Sequence, residues 1–194
     1  ADNNTGVGYF ALTANTTGHS NVAVGKDALD SNTTGDYNVA LGIDSLQGNT
    51  TADHNTALGS DSLGTNSTGA SNTAVGSSAL YANTTASNNT AVGRSALGAN
   101  TDGHSNTAVG AEAGDANTTG DYNVSLGMQA LTSDTTGSRS TAIGAAALFT
   151  QNFTGGTESY NTAVGFYAGV SVTTGIQNTV VGGLALDANT TASN

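Results

Sequence analysis

One pattern returns every seventeen residues along the whole chain. Its clearest form, Asn-Thr-Ala-Val-Gly, occupies residues 72–76, 89–93 and 106–110. With this Asn as position 1, eleven repeats begin at residues 4, 21, 38, 55, 72, 89, 106, 123, 140, 161 and 178. The ninth repeat is longer than the others because a four-residue insertion lies within 149–160. A period that fills residues 1–194 predicts a single repeat array. Because both ends interrupt the pattern, we expect a piece of a longer chain.

The composition excludes several classes of partner. Three Lys and Arg residues against 14 Asp and Glu residues give a formal net charge of −11. Nucleic acids and anionic membrane surfaces both require clustered cationic side chains, so neither is predicted as a partner. No apolar run is long enough to cross a bilayer. The absence of cysteine excludes disulfides and thiolate metal sites, and it is compatible with an extracellular location.

Each repeat predicts two short extended arms. In the first, position 2 is Thr or Val and position 4 is Val, Leu or Ile, usually with Ala between them. This alternation with β-branched residues is typical of a strand. Positions 8 and 9, mostly Ala-Leu, form the second predicted arm, and the Asn-Thr-Thr-Gly group that follows predicts a corner.

A coil of this length is too short for a helical hairpin or a leucine-rich repeat and suits a narrow parallel β-solenoid. Stacking at about 4.8 Å per coil would give a rod of about 50 Å. Equal positions would then form ladders. We predict an amide ladder from Asn at position 1, and core stripes from Val or Leu at position 4 and from Leu at position 9.

Position 5 is Gly in all eleven repeats. A helix would not place Gly repeatedly in its interior, since Gly is about 1 kcal/mol less favourable there than Ala. We therefore predict a turn with positive φ, or a close approach of two backbones. These structural turn glycines are Gly8, Gly25, Gly42, Gly59, Gly76, Gly93, Gly110, Gly127, Gly144, Gly165 and Gly182.

The apolar content of one coil is small. Two large aliphatic residues and two alanines bury little surface compared with the entropy lost when a whole coil becomes ordered. We therefore predict that several copies share a core around a common axis.

The motif Thr/Val-Ala-Val/Ile-Gly, followed by a small residue and a second corner, resembles the head repeats of trimeric autotransporter adhesins. It also resembles the Asn-Thr-Ala-Val-Gly repeats of tail-fibre-like proteins from phages and bacteria. The resemblance implies a left-handed parallel β-roll, a homotrimer, and display on a cell surface or virion. The chain departs from the adhesin heads in its longer coil and in the Leu at position 9. The expected function is a structural and adhesive segment of an extracellular fibre, with further copies and a host-surface protein or glycan as partners.

Three acidic residues at position 7 predict a metal site. Asp27, Asp44 and Asp61 belong to successive coils, and carboxylates stacked about 5 Å apart would repel one another unless Ca²⁺ bound between them. The alternative is a solvated acidic edge that keeps the protein soluble.

The insertion predicts a partner-binding loop, because insertions in solenoids protrude from one face. Its candidate residues are Phe149, Phe153, Glu158 and Tyr160. The alternative is a tolerated surface loop whose aromatic rings pack over a coil.

Three other functions remain as alternatives. Thr recurs at position 13 or 14, as in Thr16-Thr17, and such a ladder could bind ice; the other interpretation is that its hydroxyls satisfy a corner. The repeats could also form the subunit of a self-assembling filament. Glycan cleavage would need a specific carboxylate pair, which the sequence does not indicate. Since His19, His54 and His104 lie on distant coils, we predict no enzyme.

Overall fold

The computed structural model describes residues 1–191 and 193, and it confirms the all-β parallel solenoid. One sheet contains eleven three-residue strands in sequence order, and the described residues include no helix. Each strand pairs in register with the next, so that Thr73 lies beside Thr90 and, across the insertion, Thr141 lies beside Thr162. The strands are β1 (Thr5–Val7), β2 (Val22–Val24), β3 (Val39–Leu41), β4 (Thr56–Leu58), β5 (Thr73–Val75), β6 (Thr90–Val92), β7 (Thr107–Val109), β8 (Val124–Leu126), β9 (Thr141–Ile143), β10 (Thr162–Val164) and β11 (Thr179–Val181).

The core stripe predicted at position 4 is wrong, because these side chains lie on the outside of the coil. In β4, Ala57 is fully buried whereas Leu58 is 42% exposed. Successive side chains of a strand point to opposite faces. Positions 2 and 4 therefore share the outer face, and the small Ala of position 3 faces the narrow interior. The core consists of this Ala together with the Ala and Leu of positions 8 and 9.

The prediction of a second extended arm at positions 8 and 9 is also wrong. Positions 6 to 11 form a continuous turn in each coil, and the Leu of position 9 has left-handed backbone geometry, with φ of 50° at Leu63 and 51° at Leu80. This conformation costs a non-glycine residue about 1–2 kcal/mol. Here it turns a large apolar side chain into the core, where both leucines are fully buried.

Two buried Asn ladders run inside the coils, one at the predicted position 1 and a second at position 12, which was not predicted. At position 1 the side-chain oxygen accepts a backbone N–H from the next coil, as Asn55 Oδ1 does from Asn72 at 2.9 Å. Position 12 carries the ladder of side-chain amides. Asn83 Nδ2 donates to Asn66 Oδ1 at 2.8 Å and to the Ala86 carbonyl at 2.9 Å. Among the described residues, no buried side-chain nitrogen or oxygen lacks a hydrogen-bond partner.

The glycines of position 5 occupy a backbone conformation and a space that other residues cannot. All eleven have φ between 127° and 143°. A Cβ atom on any of the first ten would lie less than 3.0 Å from the backbone of the corresponding Gly in the next coil. Gly182 differs, because among the described residues the nearest atom to its Cβ would be Ala185 Cβ at 3.7 Å.

The core changes composition in the seventh coil, where Gly114 replaces the Leu of position 9. The buried apolar residues form two clusters, one ending at Ala113 and the other beginning at Ala130. In the eighth coil, Ser125 replaces the Ala of position 3, and its Oγ would lie 3.2 Å from a Cβ placed on Gly114. A larger residue in the neighbouring coil thus occupies part of the space that the missing leucine leaves.

Candidate interaction surface

The outer face of the sheet is the most extensive uniform surface of the protein. It presents positions 2 and 4 of eleven strands, which comprise eight Thr, ten Val, three Leu and one Ile. None of these 22 side chains is charged, although the chain carries a net charge of −11. Because the strands pair in register, the side chains form two straight columns about 50 Å long. No pocket opens on the described surface.

The three acidic residues of position 7 do not form a metal-binding cluster. Asp27 forms an ion pair with Lys26, and Asp61 accepts a hydrogen bond from Ser60 at 2.9 Å. Together with Asp44, they have φ between 55° and 58°. Within residues 1–191 and 193, no group of three or more His, Cys, Asp or Glu side chains is arranged to hold a metal ion. The predicted calcium site therefore gains no support from the geometry.

The insertion places its candidate residues in different surroundings. Phe153 is 4% exposed and packs over the coil, so its ring is not available to a partner, whereas Phe149 is half-buried. Glu158 and Tyr160 are exposed and connected, because the Tyr160 hydroxyl donates to Glu158 Oε2 at 2.6 Å. Residues 154–156 form the exposed tip of the loop.

The exposed end of the insertion adjoins an aromatic and charged cluster. The Arg139 guanidinium lies 5.0 Å from the ring centre of Tyr122 and 5.9 Å from that of Tyr160, and Arg139 Nε donates to Glu158 at 2.9 Å. The hydrogen bond from Tyr160 and then that from Arg139 lower the pKa of the Glu158 carboxyl. The hydrogen bond to Glu158 also raises the pKa of the Tyr160 hydroxyl. The carboxylate therefore holds both neighbours in place.

A buried carboxylate interrupts the Asn ladder beside the insertion. Asp134 occupies position 12 of the eighth coil and is 1% exposed. It accepts hydrogen bonds from Gln151 Nε2 at 2.7 Å, from the Gly137 N–H at 3.0 Å and from the Phe153 N–H at 3.1 Å. Burial raises the pKa of Asp134, and these hydrogen bonds oppose that shift. Sequence reasoning missed this residue, although the break in a column of Asn was visible.

The threonines and histidines named from the sequence have structural surroundings. Hydroxyls at position 13 donate to backbone carbonyls of the next coil, as Thr33 does to Thr50 at 3.0 Å. His54 stacks on Tyr37 with ring centres 5.0 Å apart. The backbone N–H of Asp2 donates to His19 Nδ1 at 3.1 Å.

No family model, curated protein or solved structure matches the chain. No helix of the described residues is long and apolar enough to span a membrane. Function is therefore inferred from the chemistry of the outer sheet face and of the insertion.

Proposed function

We propose that the chain is a structural and adhesive segment of an extracellular fibre, in which three copies associate through the outer face of the sheet. The observation that carries this proposal is the uncharged face of 22 Thr, Val, Leu and Ile side chains on an otherwise acidic rod. Exposed apolar patches of this extent are typical of interaction sites. Copies with a net negative charge repel one another least where a face carries no charge.

The inside of each coil determines where a contact between copies could form. The Ala and Leu side chains of the core and the two Asn ladders close the interior of a single copy. A shared core between copies therefore has to be formed by the outer face, where the β-branched and leucine side chains remain available. This arrangement would bury the residues of position 4.

Sedimentation without cross-linker tests the association. We expect a mass three times the 18.9 kDa of the chain. Val92→Lys places a charge at the centre of the outer face and should dissociate the assembly. Tyr81→Lys is the matched control, since Tyr81 is 45% exposed but lies outside the strands. A monomer at all concentrations, or equal behaviour of the two variants, would refute the proposal.

The adhesive contribution is assigned to the insertion, with a host-surface protein or glycan as the partner. Exposed tyrosine rings can stack on sugars or anchor a protein. Tyr160→Ala should then weaken binding to host cells without changing the mass of the assembly. Unchanged binding would leave only the structural part of the proposal.

Ice binding is the second candidate function. The threonines of the outer face are better placed to bind ice than the threonines of the corners. Position 13 hydroxyls are engaged between coils, whereas Thr56, Thr73, Thr90 and Thr107 form an unbroken outward column over four strands. Thermal hysteresis in a dilute solution tests this candidate, and its absence together with unshaped ice crystals would exclude it. A series of much larger species in sedimentation would instead favour the filament subunit.

A further inference from the structure

A longer period is superimposed on the period of one coil. The eight residues 32–39, Asn-Thr-Thr-Gly-Asp-Tyr-Asn-Val, return unchanged at 117–124. The offset between these two segments equals five complete coils. The segment ends in the strands of the third and eighth coils, and its tyrosine is the last residue of the coil before each of them.

The repeated tyrosine has the same backbone environment in both coils. The Tyr37 N–H donates to the His19 carbonyl at 3.0 Å, and the Tyr122 N–H donates to the His104 carbonyl at 3.1 Å. Their φ angles are 57° and 58°. The two rings therefore leave the backbone in the same way.

Each ring is also supported by the coil that follows it. Tyr37 stacks on His54 with ring centres 5.0 Å apart and an angle of 1° between the planes. Tyr122 lies 5.0 Å from the guanidinium of Arg139. A planar group of the next coil restricts the ring in both cases.

Large apolar side chains extend across these two coils. Four positions carry large apolar side chains in each case: the tyrosine before the strand, the two outward strand residues, and the residue after the glycine of position 5. We call these two sets the crossbars. Crossbar 1 consists of Tyr37, Val39, Leu41 and Ile43, which are 39–56% exposed, and crossbar 2 consists of Tyr122, Val124, Leu126 and Met128.

The coils between the crossbars carry fewer large apolar side chains at the same positions, where His54 and Arg94 are the large polar residues. Around the strand of the fifth coil these positions are Ser71, the last residue of the fourth coil, and Thr73, Val75 and Ser77. The outer face therefore has a profile along the rod, with two bulky coils five coils apart.

We propose that the crossbars set the axial register in which parallel copies of this chain associate through the outer face. This inference rests on the proposed self-association. Columns of nearly identical coils can slip by one coil with little change in contact, so a uniform face specifies register weakly. Zero shift places both crossbars against their own copies. A shift of one, three or four coils places a crossbar against positions with fewer large apolar residues, against a charged side chain such as Arg139 or Arg94, or beyond the end of the neighbouring copy.

Shifts of two and five coils match the bulky coils only in part. A shift of two coils brings crossbar 2 of one copy against Tyr160 and Phe166, which flank the strand of the tenth coil, while crossbar 1 of that copy faces Ser71 and Ser77, which flank the strand of the fifth. A shift of five coils pairs only one crossbar with the other and leaves about half of the rod without a neighbour. Zero shift is the one register that pairs all the bulky coils.

The sheet itself forms a long and narrow face. A length of about 50 Å follows from the spacing of the strands, and a three-residue strand spans about 10 Å. The resulting area, on the order of 500 Å², is smaller than the roughly 800 Å² per partner of a standard interface, so a stable contact also needs the exposed residues that flank the strands, such as Tyr37 and Ile43.

Single cysteines report the register directly, because the chain has none. Val92→Cys lies in the sixth coil and Val109→Cys lies one coil further on, both outward and between the crossbars. Chains of the two kinds, with tags of different mass, are mixed and oxidised in air. In-register parallel association predicts disulfides between like chains, for both kinds, and hardly any between Val92→Cys and Val109→Cys chains.

The decisive variant replaces the crossbars by residues of the fifth coil. Its substitutions are Tyr37→Ser, Leu41→Val, Ile43→Ser, Tyr122→Ser, Leu126→Val and Met128→Ser. All of them introduce residues that occur naturally at the same positions of this chain, so folding should persist, as circular dichroism will check. We expect the ratio of shifted to in-register disulfides to rise from near zero towards one, while Tyr81→Ser leaves it unchanged.

The outcomes separate the two proposals. If the flattened variant still forms only in-register disulfides, the crossbars do not set the register, and self-association stands without them. Antiparallel copies would link Val109→Cys to Val75→Cys of the fifth coil rather than to another Val109→Cys, and the inference would then be wrong. A monomeric protein overturns both the register and the proposed function.

Discussion

The first ten glycines of position 5 lie directly against the backbone of the next coil, and the two ends of the described rod offer a controlled test of the importance of this contact. Gly8 and Gly182 both lie in terminal coils, with φ of 135° and 127°. A Cβ on Gly8 would lie less than 3.0 Å from the backbone of Gly25, whereas a Cβ on Gly182 would meet only Ala185 Cβ at 3.7 Å. Gly8→Ala and Gly182→Ala therefore share the backbone strain and differ in the clash.

The expected magnitudes follow from these two contributions. Forcing a non-glycine residue into such a conformation costs about 1–3 kcal/mol. Overpacking against a rigid neighbour adds about 1–3 kcal/mol, because the backbone of Gly25 cannot move without separating two coils. We expect Gly182→Ala to lower the free energy of unfolding by about 1–3 kcal/mol and Gly8→Ala by about 2–6 kcal/mol.

Urea unfolding followed by circular dichroism measures the totals, and hydrogen exchange locates the change. The Gly25 N–H donates to the Val7 carbonyl at 2.9 Å, and the Leu184 N–H donates to the Phe166 carbonyl at 2.8 Å. Gly8→Ala should speed exchange at Gly25, whereas Gly182→Ala should affect Leu184 much less. Equal losses at both ends would show that the clash contributes nothing and that the explanation of the invariant glycine column is wrong.

Three further predictions concern the interior. Leu63→Ala should lower the free energy of unfolding by about 2–5 kcal/mol, whereas Leu58→Ala in the same coil, measured on the isolated monomer, should cost much less because its side chain faces outward. Burial raises the folded pKa of Asp134 above its unfolded value, so the stability that this residue contributes is fully present below the unfolded pKa, about 3.9, and is lost as pH rises through the folded pKa. Asp134→Asn should remove this part of the pH dependence. Urea midpoints of the unsubstituted protein that do not change across this pH window would contradict the prediction. The double variant Gly114→Leu with Ser125→Ala restores a buried leucine, worth about 1.5–3 kcal/mol, at a cost of about 1–2 kcal/mol for the left-handed conformation of a non-glycine residue, so the melting temperature should rise slightly. Gly114→Leu alone should gain less, because its Cβ would lie 3.2 Å from Ser125 Oγ as well as 3.1 Å from Leu97 Cδ2.

The architecture could be predicted from the sequence because the length of the repeat restricts the geometry of each coil. A short repeat with alternating Thr, Ala and Val specifies a short strand, and repetition of the strand specifies a parallel stack. The pairing of Thr73 with Thr90 follows directly from that period. The positive φ of the eleven glycines could also be predicted from the sequence, since only a residue without a side chain fits such a turn.

Hydrophobicity could not predict which side chains of the strand face the interior of the coil. Val and Leu at position 4 are the most apolar residues of the strand, yet Ala57 is buried while Leu58 is exposed. The interior of so narrow a coil is limited by volume, and Leu63 of the same coil already occupies it. Nor did the sequence indicate that a leucine would adopt a left-handed conformation, because propensity disfavours it and only the packing of the assembled stack compensates.

The separate roles of the inner and outer faces explain how one fold tolerates a variable surface. Inside, Asn66 and Asn83 link successive coils through side-chain amides and at the same time satisfy the backbone of the corner, so each coil is fixed relative to the next by hydrogen bonds of defined direction. Such ladders specify the stacking within one copy without relying on a large apolar core. The outward residues are then free to differ from coil to coil without altering the fold. Contacts between copies depend on those residues, and this is why a five-coil pattern of bulky side chains can arise on a framework that repeats with every coil.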